Sequence, residues 1–182
     1  MTDTVTFHAH GAIASSVLKG SSEMDMTYHP IGIIHSPFTS LEAMPIQPVG
    51  ATSGQGIVEI FAEFADGLKD LDGFSYLILL YHFHKAHRSA LTVTPFLDST
   101  PHGIFATRAP TRPNPIGLSV VKLLNIKDNA IQVEQLDILD ETPVLDIKPY
   151  VPEFDHRANA RIGWLERVKE EVSGTLSDDR FA

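Results

Sequence analysis

"FATRAPTRPNPIGLSVVKL", residues 105–123, is the stretch on which the fold turns. Three prolines (Pro110, Pro113, Pro115) fall within six residues, Arg108 and Arg112 stand among them, and an apolar run follows directly. Proline fixes φ and removes a backbone donor, so the segment is neither helix interior nor central strand. It reads as a stiff, cationic crossing between two strands. Arg108 closes the first, and Gly117, lacking a Cβ, lets backbone approach a ligand closely. The arginines offer planar donor forks for carboxylate or phosphate, and a loop already stiff loses little entropy on binding.

Outward from this crossing the pattern is strand. "IGIIHS" (31–36), "GIVEIFAEF" (56–64), "SYLILLYHFH" (75–84), "HGIFATR" (102–108), "IGLSVVKLLNI" (116–126), "AIQVEQLDIL" (130–139) and "PVLDIKPY" (143–150) are short and apolar or alternating. Turn residues such as Asp72-Gly73 and Asp128-Asn129 separate them. About seven strands with no long helix between them predict a mainly β fold, a closed or nearly closed antiparallel β-barrel. In "AIQVEQLDIL" the apolar parity shifts from Ile131 and Val133 to Leu136 and Ile138, a change of face that suits a bulge or strong bend. Ile162, Leu165, Val168 and Val172 recur at helical spacing, which predicts one C-terminal amphipathic helix. The expected organisation is an N-terminal extension over 1–26, a barrel domain over 27–152, and a helix and tail over 153–182. The extension reads as a mobile arm or an early start, with a swapped arm as the alternative.

Composition sets bounds. The chain of 182 residues is 43% hydrophobic and 20% charged, ordinary for a globular protein. No apolar run approaches the roughly 18–20 residues of a membrane span, and no signal peptide is read. The absence of cysteine excludes disulfides and thiolate metal sites and is compatible with a cytoplasmic location. Net charge is −9, against wholesale nucleic-acid binding. Yet residues 82–122 hold Lys85, Arg88, Arg108, Arg112 and Lys122 against Asp98 alone, a local net of +4. His82, His84, His87 and His102 fall in the same window. One anion-facing surface is the expectation; scattering of these charges over several faces is the alternative.

Two stretches could carry chemistry. In "YHFHKAHRS" (81–89), His82, His84 and His87 could bind zinc, but Lys85 and Arg88 would repel a dication and no fourth ligand lies nearby, so no metal is expected. In "LDILDETPVLDIKPY" (136–150), Asp137, Asp140, Glu141 and Asp146 alternate with aliphatics and end on Lys148 and Tyr150. Strand-end carboxylates can hold a ribose diol, stabilise a cation or act as a base; Asp140 to Pro143 is also a good turn sequence. No glycine-rich nucleotide loop of the Rossmann kind is present.

"IGIIHSPF", "LDGFSYLILLYHFHK", "FATRAPTRPNPIGLSVV" and "LDILDETPVLDIKPYVP", in this order, resemble the TsaA-like, or TrmO (YaeB), family. The resemblance covers about Tyr28 to Pro152. It implies an S-adenosylmethionine-dependent methyltransferase built on a β-barrel, working as a homodimer with the cofactor site near the dimer interface. The implied acceptor is N6 of threonylcarbamoyladenosine next to the anticodon of tRNA. By motif, cofactor contacts fall on Pro45, Ile46 and Gln47, on His84 and Lys85, on Arg108 and Leu118, and on Glu134, Gln135, Leu136 and Asp137. Arg88, Arg112 and Asn114 are the candidates for substrate binding, and Asp146, Lys148 and Tyr150 for catalysis.

Two departures accompany the resemblance. Typical bacterial members carry a further C-terminal domain, so a short form is implied, with about thirty residues beyond Pro152. Where the family commonly reads Asp-Gly-Thr-Pro, this chain has Asp140-Glu141-Thr142-Pro143. Two other functions stay open: methylation of a small nucleoside-like or anionic metabolite, and a cofactor-binding module without catalysis.

Overall fold

Alternation places the core. In Tyr76–His82, Leu77, Leu79 and Tyr81 point inward and are buried, while their neighbours are half-buried. The computed structural model describes residues 26–41 and 54–167. Within them run β1 (Gly32–His35), β2 (Gln55–Ile60), β3 (Tyr76–His82), β4 (Thr92–Val93), β5 (His102–Gly103), β6 (Ile116–Lys127), β7 (Ala130–Glu134) and β8 (Thr142–Pro149). Six of them close a barrel in the order β1-β2-β7-β6-β3-β8, every pairing antiparallel. Closure leaves no free sheet edge, and the small interior is filled by side chains. Ile34, Val58, Leu77, Leu79, Val121, Ile131, Val133 and Val144 are fully buried there.

Barrel curvature is taken up by bulges. Leu123 pairs with Val133 and Asn125 with Gln132, so Leu124 is the extra residue of β6. It stands 41% exposed, and beyond it Ile126 packs against the core. A second irregularity leaves Leu145 of β8 unpaired between the Leu80–Asp146 and Tyr81–Val144 pairs. The parity shift in "AIQVEQLDIL" is a bend: β7 stops at Glu134, Gln135 takes a positive φ of 65°, and Leu136 and Ile138 return to the core from a loop.

"HGIFATR" is not a full strand. Only His102 and Gly103 pair, with β4, and Ile104–Ala106 form a 3-10 turn. Thr107 supplies the reason. Its hydroxyl donates to the Ile104 carbonyl at 2.9 Å and accepts the Ala109 N–H at 3.3 Å, a local alternative to a ladder. Residues 84–115 instead wrap the barrel mouth over a small core of Val93, Ile104 and Ala109.

After β8 comes a short helix, α1 (Pro152–Asp155), and then a 3-10 turn at Gly163–Arg167. Of the predicted helical positions, Leu165 lies on this last piece and Ile162 just precedes it. Val168 and Val172, like the first 25 residues and Pro45, Ile46 and Gln47, lie outside the described residues. Trp164 anchors the segment: its Nε1 donates to the Ala106 carbonyl at 2.8 Å, and its ring stacks on His102 at 4.6 Å. Among the described residues no helix is long and apolar enough to cross a membrane.

Candidate active site

Antiparallel pairing fixes which residues meet at the barrel mouth. His82 at the end of β3 pairs with Ile116 at the start of β6, and Tyr81 pairs with Val144 near the start of β8. The loop after β7 carries Asp137 to the same end. A cleft of about 770 Å³ opens there, in the size range of small-molecule sites. The proline-rich crossing forms one wall, stiffened by two tight turns in which Arg112 N–H meets the Pro110 carbonyl and Ile116 N–H the Asn114 carbonyl, each at 2.7 Å. Phe83 N–H donates to the Pro115 carbonyl at 2.8 Å, tying this wall to β3.

His84, Lys85, Arg108, Leu118 and Asp137, dispersed in sequence, all line this cleft. A buried polar chain runs along its floor. The Ser119 hydroxyl donates to Asp137 Oδ1 at 2.7 Å, which leaves the Tyr81 hydroxyl to donate to Ser119 Oγ at 3.1 Å. Burial pushes the Asp137 carboxyl up to about 6, opposed by the Ser119 hydrogen bond and more weakly by the Arg108 charge. Burial, then the Asp137 charge, pushes the Tyr81 phenol above its usual range. Gly117 belongs to this chain, but for a different reason than the sequence suggested. A Cβ there would overlap the Tyr81 ring, so the space left by glycine holds tyrosine.

Other candidates are placed elsewhere. Leu136 is fully buried in the core, and Gln135 forms the left-handed bend. Glu134 pairs with Lys122 at 3.1 Å across β7 and β6, and hydrogen bonds from Lys122 and Gln55 hold its carboxyl below the usual range. Arg112 borders the cleft, yet its Nη1 is committed to the Thr107 and Ile104 carbonyls at 2.8 and 3.3 Å. It braces the loop that presents Arg108. Arg88 lines a neighbouring open cleft with Ser89 and Thr111, and Asn114 is exposed on the crossing. Asp146 and Lys148 form an ion pair at 2.6 Å on the outgoing part of β8. Tyr150 meets Tyr76 edge-on at 6.3 Å, where β3 begins, at the barrel end away from the cleft.

The sequence reading omitted Tyr81, Ser119, Thr142 and Trp164. A small polar residue at an inward position of "GLSVV" was the available signal for Ser119. Its partners depend on cross-strand register, which local sequence does not state. His35, Asp140 and Glu141 also gather with ligand atoms within 4.8 Å of one another.

A mainly antiparallel barrel with a mixed-charge cleft at one mouth defines a class, and the comparison with known proteins gives its family. Residues 33–156 match the tRNA-methyltransferase O N-terminal domain, and the chain belongs to that family. It is 54% identical over 154 residues to an S-adenosyl-L-methionine-binding protein, so described as probable, of Pyrococcus abyssi, covering 85% of this chain and 84% of that one. It is 39% identical over 135 residues to the tRNA (adenine(37)-N6)-methyltransferase of Escherichia coli, covering 69% of this chain and 57% of the relative. The crystal structure of TrmO from Pseudomonas aeruginosa superposes with a TM-score of 0.66 at 40% identity, covering 78% of this chain and 63% of that one. The chain thus spans less than two thirds of the Escherichia and Pseudomonas proteins.

Proposed function

We propose that the protein is an S-adenosylmethionine-dependent methyltransferase whose acceptor is N6 of threonylcarbamoyladenosine beside the tRNA anticodon. The observation that carries this reading is the convergence of His84, Lys85, Arg108, Leu118 and Asp137 on one cleft of suitable size.

The residues present fit the cofactor. Asp137 is a carboxylate set in a partly apolar floor, suited to a ribose diol or to a sulfonium cation. Arg108 and Lys85 complement a carboxylate, and Phe83, Phe105 and Trp164 supply faces for an adenine ring. When bound, the cofactor supplies an electrophilic methyl group for in-line displacement. What the chain contributes is position: stiff walls align acceptor and donor for in-line attack. The cationic crossing suits phosphate and the threonyl carboxylate, with Arg88, Arg112 and Asn114 along the approach. Phe105, 77% exposed, and the exposed Ile116 and Leu118 offer apolar surface at the mouth, consistent with a homodimer that completes the site.

The test is transfer of labelled methyl groups to tRNA bearing the carbamoylated adenosine, followed across salt concentrations. The expected outcome is transfer with log affinity falling linearly against log salt. Transfer to the free nucleoside with no salt dependence would contradict the tRNA reading and favour a small acceptor.

A further inference from the structure

We infer that His84 is the proton acceptor of the reaction, held by Thr142 in the tautomer that leaves Nε2 bare. The inference deepens the function proposed above and rests on it. Thr142 is buried at the start of β8, and its hydroxyl has one proton, which it donates to the Leu139 carbonyl at 2.7 Å. The 3.3 Å contact between Thr142 Oγ1 and His84 Nδ1 therefore has the histidine as donor. A neutral imidazole that carries its proton on Nδ1 has its lone pair on Nε2. Among the described residues, no hydrogen bond is made by Nε2. His84 and Thr142 both line the cleft that holds Asp137 and Arg108.

Such a base needs to be neutral at working pH. Burial lowers the affinity of His84 for a proton, and the charges of Lys85, His82 and His87 act in the same direction. From the facing elements, Arg108 adds a cation and Asp137 a carboxyl group. The reaction asks for such an acceptor, because N6 of the carbamoylated adenosine loses its proton when methylated. The N6 lone pair forms the bond to the methyl carbon. The carbon–sulfur bond breaks with its electron pair left on sulfur, and the N6 proton passes to His84 Nε2. Asp137, already accepting from Ser119, then serves the cation and not the proton.

Two measurements test this. Nitrogen-15 spectra of the histidine-labelled full chain, without cofactor, are expected to show His84 as the Nδ1–H tautomer at pH 7, and Thr142→Val to shift it toward Nε2–H. An Nε2–H form or an imidazolium in the unsubstituted protein would overturn the inference. His84→Asn keeps a donor toward Thr142 but no base. At saturating cofactor it is expected to lose about 10²–10⁴ in kcat, together with the acidic limb of the pH profile. A retained kcat would overturn the inference, as would loss of that limb in Asp137→Asn alone. The tautomer measurement needs no acceptor, so an unsubstituted protein inactive on tRNA would refute the substrate reading and not the role of His84.

Discussion

Ser119 Oγ lies 2.7 Å from Asp137 Oδ1, joining the N-terminal part of β6 to the loop after β7 through one hydroxyl proton. The contact holds a carboxyl group at the cleft floor where burial disfavours its charge. The site is thus built at some cost to the fold, a common arrangement at functional sites.

That cost has a sign. Asp137 has a folded pKa of about 6, above its ordinary 3.8, so the folded state binds the proton more tightly. The stability it contributes is complete below about pH 4 and is lost as pH rises through about 6. Asp137→Asn should flatten this part of the profile and raise stability at pH 7.5 by about 1–2 kcal/mol after allowance for partial solvent access. Urea denaturation at pH 4.5 and 7.5 checks it. A variant less stable than the parent at pH 7.5 would count against the assigned burial.

Cofactor affinity should run the other way. Binding of a sulfonium cation favours ionised Asp137, so affinity is expected to rise between pH 5 and 7 and to level off above. Calorimetric titration across that range, with Asp137→Asn as the flat control, reads this directly.

Gly117→Ala would drive a methyl group into the Tyr81 ring. The ring has to move and the Tyr81–Ser119–Asp137 chain breaks with it. A loss of about 1–3 kcal/mol is expected from overpacking, with weakened cofactor binding. Gly117→Ala together with Tyr81→Leu, which frees the space, should regain most of the stability but not the binding.

Glu141 sits at a φ of 63°, in the left-handed region that a side chain occupies at a cost. Its N–H donates to the Ile34 carbonyl at 2.9 Å, so the turn is fixed by backbone. Glu141→Gly keeps that bond and relieves the strain. Net of the extra freedom of glycine when unfolded, about 0.5–1 kcal/mol of stabilisation is expected in denaturant midpoints.

Arg108 and Arg112 should separate in their effects. Arg112→Ala removes donors from the Thr107 and Ile104 carbonyls and loosens the crossing, so both stability and binding fall. Arg108→Ala should leave thermal stability near that of the parent while cofactor affinity drops tenfold or more. Equal thermal losses in the two variants would contradict this division.

Much of the barrel is legible in local pattern. Leu77, Leu79 and Tyr81 alternate as a half-buried strand must, and the prolines announce the crossing before β6 begins. The dispersed cleft residues became readable only through the family resemblance, because nothing local to His84 or Asp137 says they meet. "HGIFATR" has a strand-like pattern but pairs only at His102 and Gly103, because the Thr107 side chain competes with the ladder. The brace made by Arg112 and the seat of Tyr81 over Gly117 depend on contacts between distant segments, which periodicity does not encode.

The central claim is tested most directly by mass spectrometry of tRNA nucleosides from a strain lacking this protein and from its complemented parent. The account predicts loss of the N6-methylated threonylcarbamoyladenosine in the deletion strain and its return on complementation. An unchanged nucleoside profile, with cofactor still bound by the purified chain, would contradict it.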